Sequence, residues 1–341
     1  MKDSPSLLSA LVAAVVLASA PAAAQEGKPV ELRHTSGAPP KTVWAMQAER
    51  AARNVDEESR GALKIEVFLN SQLGSETDTV QQVARGRIDM GSFSMNAVAL
   101  LVPELSLIAL PFYFRSPAEL DCVLDTAMSQ PVAELLAAKG IHFMSWNETG
   151  MIDLIGKKAF VLPADINGVK AGTYGTKVYT TFWSALGANP TQLNAVEASS
   201  GFQTGLVDVY ATVATFYVAS GLGKIAPVLT RLDVAPLPIA SLMNKAVHDR
   251  LTPDQQQAFK RASARAPAEQ LRKEVRDFET TMRSLHERNG GQVVKVSPEQ
   301  REAWRRVVEP LYPRMAQEAG PGGPKFFEQM EAGRRACQKR G

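Results

Sequence analysis

The sequence predicts an α/β fold with two lobes. Segments with strand composition and segments with helical periodicity alternate through the first part of the chain, as in layered α/β proteins. About 317 residues follow a short apolar leader, and a single hydrophobic core rarely serves a chain of that length. Beyond Pro253 the periodicity becomes purely helical, so a set of C-terminal helices is expected to complete the fold.

Residues 1–24 have the layout of a secretory signal peptide. A single lysine precedes an apolar stretch at 7–20, and small residues at 22–24 place the cleavage site before Gln25. The alternative is a membrane anchor, but the apolar stretch has about 14 residues and a bilayer span needs about 20. We therefore expect export to the periplasm, removal of this segment, and a mature protein that is not embedded in a membrane.

The first hundred residues carry the pattern of three strands and two helices. In the first helix, Trp44, Ala48, Ala51 and Val55 recur at intervals of three and four residues, which places them on one buried face. The expected elements are strands at 30–34, 63–68 and 88–93 and helices at 43–58 and 76–85.

The middle of the chain is predicted from shorter apolar runs. The run at 105–114 is interrupted by Pro111 and indicates a buried strand followed by a loop. Two strand-like segments, 209–213 and 239–244, are expected to mark where the chain crosses between the lobes. The other expected elements here are a helix at 117–139 and strands at 141–146, 152–155 and 160–162.

A long helical segment begins after Pro253. Apolar residues recur with helical spacing from Leu271 to Leu285, and Gly290 with Gly291 ends the run. An uninterrupted helix from 253 to 289 would extend roughly 55 Å at about 1.5 Å per residue. Pro267 has no backbone N–H and its ring clashes with the preceding turn, so it is expected to kink or divide this helix.

The chain has two cysteines, Cys122 and Cys337, each in a helical context. In an oxidising compartment an even count favours a disulfide, which would join the C-terminal tail to the first lobe. Two unpaired thiols, one buried and one on the tail, are the alternative. The four histidines lie far apart and no C-x-x-C motif is present, so the sequence predicts neither a metal site nor a cofactor.

Composition and motif content exclude several classes of protein. The hydrophobic content of 45% and the charged content of 21% are ordinary for a globular protein. The formal net charge of +3 is too small to indicate a nucleic-acid partner. No G-x-S-x-G motif and no glycine-rich phosphate loop is present, so the chain is not expected to be an enzyme. A monomer is expected.

Four blocks of the sequence share their order and spacing with a known family. The blocks are LKIEVFLNSQLGSETDTVQQVARGRIDMG at 63–91, VPELSLIALPFYFRS at 102–116, DINGVKAGTYGTKVYTTFWSALGANP at 165–190 and EASSGFQTGLVDVYA at 197–211. They resemble the DctP-type solute-binding proteins of tripartite ATP-independent periplasmic (TRAP) transporters. In that family the corresponding patterns are I-x-V-F-P-N-x-Q-L-G with G-x-x-D-M, V-P-E with L-P-F-L-F, D-L-K-G-L-K-I-R-x-P with A-L-G-A-N-P, and E-x-x-x-A-L-Q-x-G-x-V-D.

This resemblance implies a periplasmic solute-binding, or clamshell, fold. Two α/β lobes, a long interlobe helix and a C-terminal helical tail are expected. The resemblance also implies two kinds of partner, a small-molecule ligand and TRAP membrane permease subunits driven by an ion gradient. The expected division is 25–147 with 237–266 for lobe 1, 148–236 with 267–317 for lobe 2 and the long helix, and 318–341 for a tail that packs back on lobe 1.

Three positions depart from the family pattern. Gly172 stands where the family has the arginine that grips a ligand carboxylate, Ile152 stands at a second arginine position, and Thr212 replaces an asparagine that faces the ligand. A guanidinium binds a carboxylate through two charge-assisted hydrogen bonds, which a glycine cannot supply. We therefore expect a solute that this clamp does not hold. It is either a neutral, aromatic or hydroxylated compound, or a carboxylate held by backbone N–H groups, by His34 or by another arginine.

The residues expected to border the cleft are rich in aromatic rings and hydroxyl groups. Trp146 is favoured as a core residue, Tyr210 fits either core or cleft, and His34 could instead cap a turn. Gly172 is expected to open space where the family has a long side chain. The full set is His34, Thr35, Ser92, Phe93, Ser94, Asn96, Trp146, Glu148, Gly172, Tyr174, Tyr210, Thr212 and Phe216.

The sequence thus predicts an extracytoplasmic subunit that captures a small organic solute and passes it to a permease. The first alternative is a periplasmic sensor, in which the same closure around a ligand signals to a membrane receptor. The second is a periplasmic enzyme, which the missing catalytic motifs disfavour. A ligand would shift the equilibrium between the open and closed forms only by the difference in its affinity for the two forms.

Overall fold

The computed structural model describes residues 28–339. The predicted signal peptide and its cleavage site lie outside the described residues. Within them, strands and helices form two α/β lobes that share one mixed sheet, which confirms the predicted fold class. No helix in this part of the chain combines the length and the apolar composition that a membrane crossing requires.

The sheet places parallel strands at both ends and antiparallel strands in the middle. Its order is β2-β1-β3-β8-β4-β7-β5-β6, with β9 paired to β8. These strands are β1 Val30–Ser36, β2 Leu63–Phe68, β3 Met90–Ser94, β4 Ile141–Gly156, β5 Lys170–Thr173, β6 Asn189–Gln192, β7 Val209–Val213, β8 Val228–Asn244 and β9 Gln292–Lys295. In the first lobe β1 is parallel to β2 and β3, and in the second β5 is parallel to β6 and β7.

Helices cover the faces of the sheet and build the C-terminal part. Several start at side-chain caps, since the hydroxyls of Thr42, Ser75, Thr252 and Ser297 accept backbone N–H groups of the first turn. The helices are α1 Val43–Glu58, α2 Glu76–Ala84, α3 Met95–Val98, α4 Pro117–Val123, α5 Ser129–Ala137, α6 Lys177–Ala185, α7 Ala198–Gln203, α8 Ala214–Ala219, α9 Lys245–Arg250, α10 Pro253–Ala264, α11 Ala268–Arg288, α12 Pro298–Val308, α13 Tyr312–Glu318 and α14 Gly323–Gln338.

Two long antiparallel strands, β4 and β8, carry the chain between the lobes. They have 16 and 17 residues and pair with each other along both lobes. The register shifts at Glu148/Gly150 and at Ile152/Leu154, so the pair is irregular where the lobes meet. The predicted segment 239–244 lies in β8, but 209–213 is β7, which pairs with β4 and β5 inside the second lobe. The prediction that 209–213 crosses between the lobes is therefore wrong.

The lobe boundaries were predicted at 147/148 and 236/237. In the β4–β8 register Asn147 lies opposite Ile239 and Gly150 lies opposite Leu237, so both predicted boundaries fall at nearly the same level of the strand pair. This level coincides with the register shift at Glu148/Gly150. We propose that the lobes divide there.

The apolar run 105–114 does not form the predicted strand. Pro103–Ala109 is a 3-10 helix that begins with Pro103 in its first turn, and a turn with φ +59° at Phe112 follows. The N–H of Phe112 donates to the carbonyl of Val234, which anchors this turn on β8. The error has a simple cause, because the periodicity of a short apolar run does not separate a strand from a buried helical segment.

The predicted strand 160–162 is also wrong. The N–H of Phe160 donates to Thr230 Oγ1 at 3.0 Å, and those of Val161 and Leu162 donate to Asp165 Oδ2 at 2.7 and 2.8 Å. Side-chain oxygens thus satisfy the N–H groups that a neighbouring strand would have bound. The segment is extended but belongs to no ladder.

The long helical segment is divided at Pro267, as predicted. Helix α10 ends at Ala264, and α11 begins at Ala268 with Pro267 as its N-cap residue. Helix α11 has 21 residues, about 31 Å at 1.5 Å per residue, and packs along β4. It is the element that accompanies the crossing strands past the boundary between the lobes.

The C-terminal helix α14 packs against α4, and a disulfide joins Cys122 to Cys337. The two Cα atoms are 6.0 Å apart and the sequence separation is 215 residues. Closing a loop of that size in the unfolded chain corresponds to about 5 kcal/mol in the chain-entropy model. The tail is therefore tied to the first lobe both by packing and by a covalent bond.

Candidate functional site

The carboxyl ends of parallel strands from both lobes surround one cavity of about 290 Å³. In sheets of this kind ligands bind beyond the carboxyl ends of the strands, where helices and loops leave a crevice. Eight of the thirteen predicted residues line this cavity: His34, Ser92, Ser94, Asn96, Trp146, Tyr174, Thr212 and Phe216. They come from strand ends of the first lobe, from the crossing strand and from the second lobe.

Five predicted residues are not among those that line the cavity. Thr35 and Phe93 are adjacent in sequence to lining residues but face the other side of the sheet, because side chains alternate along a strand. Glu148 is buried and paired with Arg276 of α11 instead. The remaining two, Gly172 and Tyr210, pack against each other behind the cavity wall.

Gly172 does not open space for a ligand, which corrects the prediction. A Cβ at this position would lie 2.6 Å from Cδ2 of Tyr210 and 3.2 Å from Cγ1 of Val207. The Tyr210 ring, which is fully buried, therefore fills the volume beside the glycine. Tyr174 lies in front of it, with the two ring centroids 6.1 Å apart, and presents the aromatic surface that the cavity contacts.

Trp146 combines the two roles that the sequence left open. The side chain is 3% exposed and its Nε1 donates to Ser129 Oγ at 2.9 Å, as expected of a core residue. It nevertheless forms part of the cavity wall. The ring is thus held in place from behind by a helix of the first lobe.

His34 and Ser92 form a polar pair on the floor of the cavity. His34 Nε2 lies 3.1 Å from Ser92 Oγ, and both side chains line the cavity. Burial lowers the pKa of His34 to about 4, so the ring is neutral at neutral pH. A neutral imidazole can donate or accept a hydrogen bond, but it brings no charge to hold an anion.

Glu76, which sequence reasoning missed, supplies the carboxyl group of the cavity. Its Oε1 accepts from the N–H of Ser94 at 2.6 Å and its Oε2 accepts from Ser94 Oγ at 2.8 Å. Burial is the largest influence and raises the pKa of Glu76, while the two Ser94 hydrogen bonds act in the opposite direction. No ion pair to Glu76 exists among residues 28–339. Glu76 is the first residue of α2, where an acidic side chain is favourable because of the helix dipole. The sequence therefore gives no sign that it also lines the cavity.

Arg50 is the one lysine or arginine among the described residues that line the cavity. Its Nη1 and Nη2 donate to the two carboxylate oxygens of Glu274 at 3.1 and 2.7 Å, which joins α1 to α11. Gln47 extends this network, because its Nε2 donates to Glu274 and its Oε1 accepts from Asn147 of the crossing strand. The guanidinium is therefore neutralised by a carboxylate of the same chain.

Several polar atoms of the cavity wall have no partner within the described chain. Nε1 of Trp44 is buried without a hydrogen bond, and the buried side-chain amide of Asn96 has no well-formed one among the described residues, although the Tyr179 hydroxyl lies near it. Buried polar groups are normally paired, so these atoms mark positions where a bound molecule can supply the missing hydrogen bonds. Neither Trp44 nor the facing Gln192 and Asn194 of the second lobe was predicted, since each reads as an ordinary helix or loop residue.

A row of charged contacts joins α11 to the crossing strand behind the cavity. Arg276 pairs with Glu148, the N–H of Met151 donates to Glu279 Oε2 at 3.1 Å, and Arg283 contacts Asp153 at 3.3 Å. The three helix residues, Arg276, Glu279 and Arg283, are three and four residues apart and therefore lie on one face of α11. We call this row the hinge seam, because it lies along the strand on which the two lobes meet.

Comparison with known proteins identifies the family. The model of bacterial extracellular solute-binding proteins, family 7, named DctP, matches residues 34–319. The 2,3-diketo-L-gulonate-binding periplasmic protein YiaO of Escherichia coli is 29% identical over 206 residues, 60% of this chain and 63% of that protein. The C4-dicarboxylate-binding periplasmic protein DctP of Rhodobacter capsulatus is 24% identical over 317 residues, 92% of this chain and 95% of that protein.

Solved structures share the same fold. The sugar acid binding protein of Advenella mimigardefordensis in complex with galactonate superposes with a TM-score of 0.85 at 23% identity, covering 92% of this chain and 99% of that chain. A TRAP periplasmic solute-binding protein of Roseobacter denitrificans with bound β-D-glucuronate gives a TM-score of 0.82 at 23% identity, covering 89% and 99%. The family match spans most of the chain, and all four sequence blocks lie within it. The chain therefore belongs to the DctP family of extracellular solute-binding proteins that serve TRAP transporters, and it is a binding protein, not an enzyme.

Proposed function

We propose that this protein captures a small organic solute between its lobes and delivers it to the membrane permease subunits of a TRAP transporter. One observation carries the capture step: strand ends of both lobes contribute side chains to a single cavity of about 290 Å³. A solute that touches both walls stabilises the closed form by its extra contacts there. The crossing strands β4 and β8, with α11 beside them, are the elements about which the lobes would swing.

We further infer that the solute is a hydroxylated compound that no free guanidinium holds. Two of the similar proteins bind galactonate and β-D-glucuronate, and YiaO is named for 2,3-diketo-L-gulonate, whereas the Rhodobacter capsulatus protein is named for C4-dicarboxylates. We take hydroxylated sugar acids as the starting class, because the cavity wall formed by the described residues offers polar groups without a free guanidinium. The hydroxyl groups of such a molecule suit Glu76, Asn96 and the His34–Ser92 pair, which offer acceptors and donors without net positive charge.

The carboxylate of a sugar acid is harder to place. The one basic side chain of the lining is already paired with Glu274, whereas Glu76 has no counter-ion among the described residues. Two like charges about 4 Å apart repel by about 4 kcal/mol at an effective dielectric constant of about 20. A carboxylate near Glu76 would therefore bind only with uptake of a proton, and a neutral hydroxylated solute or a carboxylate directed away from Glu76 avoids that cost.

Calorimetric titration of the mature chain tests the ligand class. The panel is galactonate, glucuronate, galactose, glucose and succinate. We expect a hydroxylated compound to bind and succinate not to bind. Glu76→Gln should weaken the hydroxylated ligand about tenfold, because it replaces an acceptor of charge-assisted hydrogen bonds by a neutral amide. Tight binding of succinate that disappears in Arg50→Gln would show that a guanidinium clamp exists after all.

Delivery and export need their own measurements. If genes for TRAP permease subunits lie beside this gene, uptake of the bound solute into vesicles that contain those subunits should require both this protein and an ion gradient. A neighbouring histidine kinase whose activity responds to the loaded protein would instead favour the sensor alternative. We also propose that residues 1–24 are removed on export, and sequencing of the periplasmic protein should then begin at Gln25.

A further inference from the structure

The solute cavity continues from the cleft into the interior of the first lobe. Besides the strand ends, its walls include Val55 of α1, Ile65 of β2, Met90 of β3, and Phe259 and Ala262 of α10. All five belong to, or pack against, a separate apolar cluster between the sheet and helices α1 and α10. We call this inner part of the cavity the annex.

The cavity wall changes from polar to apolar along one face of the sheet. Side chains alternate along a strand, so Ser94, Ser92 and Met90 lie on the same face of β3, in that order from the cleft inward. On the neighbouring strand, His34 follows the buried Leu32 in the same way. The polar pair His34–Ser92 therefore separates the hydroxyl-rich cleft from a mainly apolar annex, beside which Asn54 of α1 and Ser263 of α10 also line the cavity.

Small side chains keep the annex open. Ala262 is buried on α10 and contributes only a methyl group to the wall, to which Ile65 of β2 also belongs. Protein interiors are normally filled to the density of organic crystals, and an apolar void tends to stay dry and to accept apolar molecules. The annex is therefore suited to hydrocarbon and unsuited to another hydroxyl group.

We infer that the solute is amphipathic, with a hydroxylated end in the cleft and an aliphatic or aromatic arm that enters the annex beneath α1 and α10. This inference rests on the proposed capture function and adds the second half of the ligand. A plain sugar acid would fill the cleft and leave the annex empty. An arm of about four carbon atoms or one ring would gain roughly fourfold in affinity for each CH₂ group that it buries.

Indole is the probe, because it represents the arm without its polar end. Binding is measured by ligand-observed NMR and by the shift of the thermal midpoint of the mature chain. Wild type should bind indole, and Ala262→Leu, which adds three carbon atoms to the annex, should bind it at least about tenfold more weakly. Glu76→Gln alters only the cleft and should bind indole within about twofold of wild type. If Ala262→Leu does not fold, Ile65→Phe fills the same space from the sheet.

The inference is overturned if wild type does not bind indole, or if wild type and the filled variant bind it equally. If Glu76→Gln loses indole binding and Ala262→Leu keeps it, the ring lies in the cleft, and the inference is overturned as well. The titration panel for the cleft does not depend on the annex, so failure here leaves the capture function standing. Conversely, a panel without any binder would count against the ligand class proposed for the cleft and would leave the indole result unchanged.

Discussion

Replacing Glu279 with glutamine should remove a pH dependence of stability that originates in the hinge seam. Two buried carboxyl groups, Glu279 and Asp153, face the single guanidinium of Arg283 at 3.5 and 3.3 Å. Burial is the largest cause and raises the pKa of Glu279 to about 8 and that of Asp153 to about 7. One guanidinium does not compensate two desolvated carboxylates, so the pair retains a proton near neutral pH. The nearby charges of Glu148, Asp233 and Arg276 are the same in the wild-type protein and in Glu279→Gln.

The sign follows from linkage between protonation and folding. A carboxyl group with a raised pKa in the folded state contributes stability that is complete below the unfolded value of 4.5 and lost as the pH rises through about 8. Within this window each pH unit costs about 1.4 kcal/mol. Between about pH 5.5 and about pH 7 the wild-type chain should therefore lose about 2 kcal/mol relative to Glu279→Gln. Glutamine keeps an oxygen that can accept the N–H of Met151.

Urea unfolding followed by tryptophan fluorescence at three pH values across that range measures the free energy of unfolding of each protein. Glu287→Gln is the matched control, since it removes the same charge from an exposed position of α11. The reasoning is refuted if the difference between wild type and Glu279→Gln stays constant with pH. It is equally refuted if Glu287→Gln reproduces the effect.

Three further changes test separate parts of the fold. Gly172→Ala should lower the free energy of unfolding by about 1–3 kcal/mol, because its Cβ would lie 2.6 Å from a packed tyrosine ring. Gly37→Ala is the control, because a Cβ at Gly37 would lie 3.7 Å from its nearest heavy atom, and it should change the free energy of unfolding little. Equal thermal midpoints for the two variants would contradict the argument. Cys337→Ser should lower the free energy of unfolding by up to about 5 kcal/mol, and dithiothreitol should lower that of the wild-type protein by the same amount. The reasoning is contradicted if the reductant has no effect. Arg276→Met should lower the free energy of unfolding by about 3–5 kcal/mol, because it leaves Glu148 buried and unpaired. The double variant with Glu148→Met should recover part of that loss, as measured by urea unfolding.

The sequence predicted the elements whose pattern is long and periodic. Helix α1 was placed at its observed bounds because four apolar residues repeat over eleven positions, and the division at Pro267 follows from the chemistry of proline. The run 105–114 failed for the opposite reason, since ten mostly apolar residues suit several buried conformations. Segment 160–162 failed because Asp165 and Thr230, one of them distant in sequence, satisfy its backbone.

Site residues were found where a strand end made their position predictable. His34, Ser92 and Ser94 follow from the alternation of side chains at the ends of β1 and β3, whereas the interleaved Thr35 and Phe93 lie on the opposite face. Glu76 and Arg50 escaped notice because helices bring them to the cavity, and a single sequence does not show toward which neighbour an amphipathic helix turns its polar side. Their roles depend on tertiary contacts with Ser94 and Glu274.

Gly172, where the family resemblance implies an arginine, is part of the packing of the second-lobe wall. In isolation, a glycine at this position suggests an enlarged cleft, and that was the sequence-based expectation. The Tyr210 ring occupies the space instead, so glycine is needed for the packing of its neighbour and the wall remains closed. Restoring an arginine at 172 alone would thus place its Cβ against a buried ring before the guanidinium could reach any ligand. The aromatic wall and the missing cation are consequently one structural feature, and the chemistry of the solute has to match both.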